Sequence, residues 1–137
     1  MAQIAVNPFL LTDCLFQVEA DNYEAHVSKV EFAPSSSTST WKGLTPAAVF
    51  TFAGASTWVC NIEFAQDWDT AGSLSRYLFE NEGESIAVTF EPKKGGSAIT
   101  ATIVVVPGSI GGAVDGVATS SVALGVKGRP ALEAITP

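Results

Sequence analysis

A single histidine, His26, limits the catalytic chemistry that this chain can carry. A Ser/His/Asp or Cys/His arrangement uses a histidine as its base, so any such site would have to include His26. The residue lies in EAHVSK, a segment that we interpret as a strand, and nothing near it in the sequence marks a nucleophile. A strand histidine at the surface or in a subunit contact is the simpler interpretation.

Carboxylates in and directly after the segment DWDTAGSLSRYLFENEG are the other chemical candidates. They are Asp67, Asp69, Glu80, Glu82 and Glu84. Such groups can act in acid/base catalysis or bind a hard cation, but their spacing does not match a calcium loop, and acids beside helix ends are usually capping or solvated groups. The glycines of GGSAIT and PGSIGG have no P-loop or dinucleotide fingerprint. We therefore predict no enzyme, no metal site and no cofactor.

The remaining sequence signals concern compartment. Cys14 and Cys60 stand alone, without a CxxC motif, and are expected to be buried thiols in a reducing compartment. The N-terminal MAQIAVNPFLLTDCLF has no basic region and is a poor signal peptide, and no apolar run approaches the roughly 18 to 20 residues of a membrane span. These patterns predict cytoplasmic synthesis and no membrane insertion by this chain.

Composition predicts one acidic domain with a weakly charged exterior. The 137 residues are 47% hydrophobic and only 15% charged, so part of the surface must be neutral or apolar, as in a protein that contacts other proteins. The formal net charge of −7 opposes a general nucleic-acid-binding role, because phosphate contacts need clustered lysine and arginine.

Period-two alternation predicts the strands that must position these residues. The strongest case is 57–64, in which Trp58, Cys60, Ile62 and Phe64 share one face. Residues 85–106 are typical of an antiparallel hairpin turned at KKGG, 13–20 and 23–32 of a strand pair turned at Asp21 and Asn22, and 116–126 of a further strand. About seven strands indicate a sandwich or barrel.

One helix is predicted over residues 70–82. Thr70 or Asp69 is its candidate N-cap, and Gly83 stands where a C-cap glycine belongs. Its apolar positions are Leu74, Tyr77, Leu78 and Phe79. We expect this stripe to cover an end or face of the sheets, leaving Arg76, Glu80 and Glu82 toward solvent or a neighbour. The predicted fold is mainly β, or α+β with one helix: two packed antiparallel sheets forming a sandwich or barrel, flanked by that helix.

Serine, threonine, glycine and proline dominate residues 33–46 and 107–116, which we interpret as exposed loops. Trp41 lies in the first of them. A large aromatic side chain there either folds back on its own core or is offered to a partner subunit.

Two long runs of the sequence carry a family resemblance. STWVCNIEFAQDWDTAGSLSRYLFENEGESIAVTFEPKKGG, continued by VVVPGSIGGAVDGVATSSVALGVKGRP, resembles the major tail protein, or tail tube subunit, of long-tailed bacteriophages, especially those of actinobacterial hosts. The similarity extends over about residues 41 to 130. Its most specific pieces are QDWDTAGSLSRYLFENEG, TFEPK and LGVKGRP.

The resemblance implies a structural role as one tail tube domain. Subunits of this family form six-membered rings that stack into a hollow tube for genome delivery, with a long loop and terminal arms bridging between rings. The implied segments are the loop 33–46, the N-terminal arm 1–11 and the C-terminal arm 128–137. The candidate subunit or inter-ring contact residues are Trp41, Lys42, Leu44, Arg76 and Arg129. The implied partners are further copies of this chain, a tape measure protein, a tail terminator and baseplate or tail-tip proteins.

The acidity of the chain has a role in this picture. Double-stranded DNA must pass through the lumen without specific binding, and negative charge repels phosphate at close range. Glu63 and Glu91, on outward strand faces, are candidate lumen acids. The expected location is the virion tail, assembled in the host cytoplasm. The alternatives are the tube protein of a contractile injection system and a monomeric β-sandwich binding module for protein or carbohydrate, the latter using Trp41, Trp58 and Trp68 in one exposed row.

Overall fold

The computed structural model describes residues 2–134, which form a mainly β fold with one helix. The elements are β1 (Leu15–Val18), β2 (Asp21–Asn22), β3 (Val27–Ser35), β4 (Thr38–Lys42), β5 (Val49–Ala53), β6 (Thr57–Ala65), α1 (Leu74–Glu80), β7 (Ser85–Glu91), β8 (Ile99–Val104), β9 (Thr119–Gly125) and β10 (Ala131–Leu132). Packed antiparallel sheets and a single helix confirm the predicted fold class.

The larger sheet has five strands in the order β10-β8-β7-β1-β2. Its centre is the β7–β8 hairpin, in which Ser85 pairs with Val104 and Phe90 with Ile99, as the sequence predicted. The KKGG turn contains Gly95 at φ +88°, a conformation that favours glycine. The amide of Gly95 donates a hydrogen bond of 2.8 Å to Glu91 Oε1, which ties the turn to the end of β7.

The smaller body sheet has three strands in the order β3-β6-β9. Its alternation matches the prediction for residues 57–64, because Cys60, Ile62 and Phe64 are buried. Trp58 is only half-buried. An antiparallel bridge between Ile103 and Val126 connects the two sheets on one side of the sandwich.

The core lies between these two sheets and under the helix. Its buried hydrophobic residues are Phe16, Val18, Tyr23, Cys60, Ile62, Phe64, Leu74, Leu78, Ile86, Val88, Phe90, Ile103, Val105 and Leu124. Burying a side chain of this kind contributes about 1.5 to 3 kcal/mol relative to leaving it in water. Members come from both sheets and from α1, so the sandwich and its helix form one packed unit.

The helix is shorter than predicted and begins later. The N-cap is Ser73, whose Oγ accepts from the Arg76 amide, so the predicted N-caps Thr70 and Asp69 are wrong. Gly72 has φ +81°, outside the helical region, and this ends any extension toward residue 70. At the other end the Asn81 side chain donates to the Tyr77 carbonyl at 2.9 Å.

Strand pairing differs from the prediction in one respect. Segments 13–20 and 23–32 do not pair: β1 pairs with β7 and β2, whereas β3 pairs with β6 in the other sheet. The chain crosses between sheets at Tyr23, which is buried and donates a hydrogen bond of 2.9 Å from its hydroxyl to the Gly72 carbonyl. This anchored crossover leaves β1 and β3 as unpaired neighbours.

The terminal segments behave differently from each other. Residues 2–11 have no secondary structure and are exposed. Residues 131–133 of the predicted C-terminal arm fold onto their own chain, because Ala131 and Leu132 pair with β8 and the Glu133 amide donates to the Ala98 carbonyl at 2.9 Å. The arm's last residues, 135–137, lie outside the described residues, as does residue 1.

Candidate functional site

The interpretation of residues 33–46 as an irregular loop is wrong. Residues 33–35 complete β3, and β4 pairs with β5 in a separate two-stranded sheet that continues the β3–β6 ribbon away from the sandwich. The partner strand, VFTFA, has the β-branched and aromatic composition that favours extended backbone. Every side chain of β4 and β5 is exposed. We call this two-stranded sheet and its turn, residues 38–53, the distal hairpin.

The distal hairpin has one aromatic face. Trp41 is directly opposite Phe50, and their ring centroids are 6.1 Å apart. Phe52 lies two residues further along the same face. The exposed fractions of Trp41, Phe50 and Phe52 are 60%, 52% and 61%, respectively. Cross-strand aromatic pairs gain most of their stabilisation when they are removed from water, and these rings remain in contact with it.

The opposite face of the hairpin is polar. Thr40 and Thr51 are cross-strand neighbours whose hydroxyls lie 3.4 Å apart, and Lys42 is opposite Val49. The hairpin is therefore amphipathic, with an apolar side that nothing in the described chain covers. A two-stranded hairpin without a packing partner is at best marginally stable in water.

The turn of the hairpin is compact and holds Trp41 in place. The Gly43 amide donates a hydrogen bond of 2.7 Å to the Ala48 carbonyl. A Cβ at Gly43 would stand 2.8 Å from the Ala48 Cβ and 3.2 Å from the Trp41 ring, so only glycine fits beneath this ring. Leu44 is at the tip, with its side chain fully exposed at 107%.

The segment that contains the distal hairpin differs in net charge from the rest of the chain. Residues 32–62 contain a single charged side chain, that of Lys42, giving this segment a formal charge of +1. Since the whole chain has a charge of −7, the remainder carries −8. A nearly neutral, slightly basic segment thus extends from a strongly acidic body, so the two regions carry opposite net charges.

The predicted contact residues fall into three places. Trp41, Lys42 and Leu44 are together on the distal hairpin. Arg76 lies on α1, where its guanidinium contacts Glu80 at 3.1 Å and donates to the Trp68 carbonyl at 2.8 Å. Arg129 lines a separate cleft with Trp58. Of the predicted contact residues, Trp41, Lys42 and Leu44 alone lie together in one element of the described chain, the distal hairpin.

The two candidate lumen acids lie on different sheets. Glu63 is on the outer face of the three-stranded sheet, where its carboxylate accepts a hydrogen bond of 3.2 Å from Ser121. Glu91 is at the end of β7 in the five-stranded sheet and is engaged with the Gly95 amide. Their assignment to the lumen stays a prediction.

The candidate catalytic groups are held in structural contacts. His26 is not mid-strand: it lies in the turn before β3, with its ring edge-on to Tyr23 at a centroid distance of 5.2 Å. Asp67 Oδ1 accepts from the amides of Asp69 and Thr70. The Thr70 side chain first, and then these amides, hold the pKa of the Asp67 carboxyl below its usual value. Within residues 2–134, no group of three or more His, Cys, Asp or Glu side chains is arranged to bind a metal.

Both thiols are free. Cys60 is completely buried, and this burial raises its pKa to about 12. Cys14 is half-buried, and its Sγ donates to the Pro92 carbonyl at 3.2 Å. The inner thiol is thus protonated at neutral pH and shielded, while the outer one is partly accessible.

The three tryptophans of the carbohydrate alternative have different surroundings. Trp41 packs on Phe50, Trp68 packs edge-on to Phe79, and Trp58 lines the cleft beside Arg129. The row of exposed rings required for a sugar-binding platform is not supported by these contacts.

Sequence reasoning missed Phe50 and Phe52. The signal was present, because VFTFA alternates large apolar and small residues with period two. The serine- and threonine-rich stretch before it obscured this alternation, because its composition is also typical of loops.

No protein-family model matches this sequence, and no curated protein is significantly similar to it. No helix among residues 2–134 is long and apolar enough to cross a membrane.

Proposed function

We propose that this chain is the structural subunit of a phage tail tube. In this proposal, copies assemble into six-membered rings that stack into a hollow conduit through which the genome passes into the bacterial host. The observation that carries the proposal is the aromatic face of the distal hairpin. Trp41, Phe50 and Phe52 form an exposed apolar surface, and a partner that covers it would stabilise both the hairpin and the contact.

Free sheet edges support the same function. Within residues 2–134, β3 pairs only with β6, so its other edge is free. On the far side of the same sheet, β9 also pairs with β6, and just after it the isolated Ile103–Val126 bridge connects to β8. Unpaired edges promote uncontrolled aggregation unless something covers them. A closed ring joins the edge of each subunit to the next and removes this liability.

The surface chemistry is also suitable. Few charges favour large buried contacts, whose centres are depleted in Asp, Glu and Lys. The outer face of the five-stranded sheet presents mostly Ser, Thr, Ala and Gln, with Glu91 at one end. Such a face offers DNA no cluster of positive charge, and the net negative subunit repels phosphate over about 8 to 10 Å at moderate salt.

In this role the partners are other copies of the chain, the tape measure protein, the tail terminator and the baseplate or tail-tip proteins. The site of action is the virion tail, and assembly takes place in the host cytoplasm. The resemblance of residues 41–130 to tail tube subunits supports the same role.

The test is negative-stain electron microscopy of the concentrated protein, with sedimentation velocity to measure the monomer that remains. The proposal predicts hollow tubes or stacked rings. A chain that stays monomeric, and that also fails to add to tubes when tail-tip components are supplied, would remove the proposal and favour a monomeric binding module.

A further inference from the structure

We infer that the distal hairpin of one copy docks into a groove between β1 and β3 of another copy, with Lys42 pairing with Glu24. This inference rests on the proposed function and identifies the surface that receives the hairpin. Three features of the groove match three features of the hairpin: its apolar lining, its strand edges and its charge.

The groove opens where the two sheets are not joined. Since β1 and β3 do not pair, a cavity of about 360 Å³ remains between them. The apolar side chains that line it include Phe16, Val30 and Phe90. This volume lies at the lower end of the range in which proteins bind compact ligands, and it suits one or two aromatic side chains. The Trp41 and Phe50 rings are of that size and chemistry.

Backbone geometry provides the second match. The outer edge of β3 has no strand partner in the described chain, and the distal hairpin also has two free edges because its sheet contains only β4 and β5. An extended segment can therefore add to β3 through main-chain hydrogen bonds, the mode known as β-augmentation. The bulge between Val27 and Lys29 limits where such pairing can occur.

Charge provides the third match. The groove is lined by Asp13, Glu24 and Lys29, which leaves it with a net negative charge. Glu24 Oε2 is buried and has no hydrogen-bond partner within residues 2–134. A buried carboxylate oxygen without a partner is costly, and a cation from outside would satisfy it. Lys42 is the single charged side chain of residues 32–62.

The hairpin geometry allows both contacts at once. Lys42 follows Trp41 and so points from the opposite face of β4. With the aromatic face against the groove lining, the flexible stem of Lys42 can extend around the edge of the strand to the Glu24 carboxylate. Because groove and hairpin are different surfaces of the same chain, the contact is heterologous and propagates from copy to copy.

Disulfide trapping tests the contact, because the groove already contains a thiol at Cys14. A Lys42→Cys variant, oxidised with glutathione disulfide during concentration, is expected to form a bond between residues 14 and 42 of different copies. In this reaction two thiols lose their protons and two electrons pass to glutathione disulfide, which is reduced. Peptide mass spectrometry identifies the bond, and mixing isotopically labelled with unlabelled protein proves that it joins two chains.

Two matched variants control this experiment. Lys42→Cys combined with Cys14→Ser removes the acceptor, and Cys60 cannot replace it because its side chain is fully buried. Lys127→Cys places a thiol at another exposed lysine and reports random collisions. Equal cross-linking of Lys42→Cys and Lys127→Cys to Cys14, or bonding of the introduced thiol only to its own kind, would overturn the inference.

Charge reversal provides a second readout that does not depend on oxidation. Glu24→Lys and Lys42→Glu are each expected to raise the concentration needed for assembly by about tenfold, and the double variant to recover most of this loss. If wild-type protein assembles and Phe50→Ser prevents assembly, but neither rescue nor the cross-link occurs, the hairpin docks elsewhere: the groove inference falls while the tube proposal stands. If the wild-type protein stays monomeric even when tail-tip components are supplied, the tube proposal itself falls.

Discussion

The chain contains two well-formed hairpins of similar length whose apolar faces have opposite fates. In the β7–β8 hairpin, the face that carries Ile86, Val88 and Phe90 is buried under the three-stranded sheet and α1. In the distal hairpin, the face that carries Trp41, Phe50 and Phe52 is exposed. Both sequences alternate with the same period, so alternation predicts which residues share a face but does not tell which molecule covers that face.

The two hairpins therefore differ in what they contribute to the subunit, although both are built in the same way. The β7–β8 hairpin contributes to folding of the subunit, because its apolar face is removed from water within one chain. The distal hairpin contributes no comparable burial to the isolated subunit, because its aromatic face is exposed. In the proposed tube a neighbouring copy would cover that face. Variants of the two hairpins should therefore separate stability from assembly.

The largest effect is expected for stability of the buried hairpin. Phe90→Ala removes a ring that is only 7% exposed and should lower the free energy of unfolding by about 3 to 5 kcal/mol. Phe52→Ala, the matched variant in the distal hairpin, should change it by less than about 0.5 kcal/mol. Urea unfolding of the monomer followed by tryptophan fluorescence measures both values. Equal losses would contradict the division of tasks.

The next effect is expected in assembly and has the opposite order. Phe52→Ser should raise the concentration needed for assembly by more than about tenfold, because a large aromatic contact is worth at least 1.4 kcal/mol. Thr51→Ser, on the polar face, is the control and should assemble almost normally. Sedimentation velocity across a concentration series provides the comparison. If Thr51→Ser impaired assembly more than Phe52→Ser, the contact would lie on the polar face instead of the aromatic face.

A smaller effect is expected at the helix that closes the body. Ser73→Ala removes both the N-cap of α1 and a hydrogen bond of 2.5 Å from Ser73 Oγ to the Asp67 carbonyl. The unfolding free energy should fall by about 1 kcal/mol. Assembly of the folded protein should not change, since the Ser73 side chain is buried in the subunit and belongs to neither the distal hairpin nor the groove. Thermal unfolding and sedimentation of the same sample test both statements.

The smallest effect concerns pH. Because the pKa of Asp67 is depressed in the folded state, its carboxylate stabilises the fold above its unfolded pKa of about 4, and this contribution is lost as the pH falls through the folded value. Asp67→Asn should therefore melt at a lower temperature than wild type at pH 6, and the two curves should converge below about pH 4. A difference that stays constant with pH would show that the carboxylate charge does not matter.

Sequence patterns predicted the body better than the projection. Residues 57–64 and 85–106 fold as expected because both alternate clearly and their buried faces are completed within the chain. The β3 partner was wrong because Asp21 and Asn22 suggested a local turn, whereas the buried Tyr23 side chain directs the chain into the other sheet. Pairing between distant strands depends on such tertiary contacts, which local periodicity does not contain.

The candidate site was predicted in part. Trp41, Lys42 and Leu44 were identified, but as members of a loop, because serine and threonine favour turns as well as exposed strands. Their cross-strand partners and the groove that contains Glu24 were not foreseen. The groove forms where β1 and β3 do not pair, and local sequence patterns do not predict which strands remain unpaired.

The central claim is that a neighbouring copy covers the aromatic face of the distal hairpin in a hollow tube. Electron cryo-microscopy of the assembled wild-type protein tests it most directly. The account predicts a tubular lattice in which Trp41, Phe50 and Phe52 are buried against another subunit. A tube in which this hairpin points into solvent, or a protein that remains monomeric with its tail-tip partners present, would contradict it.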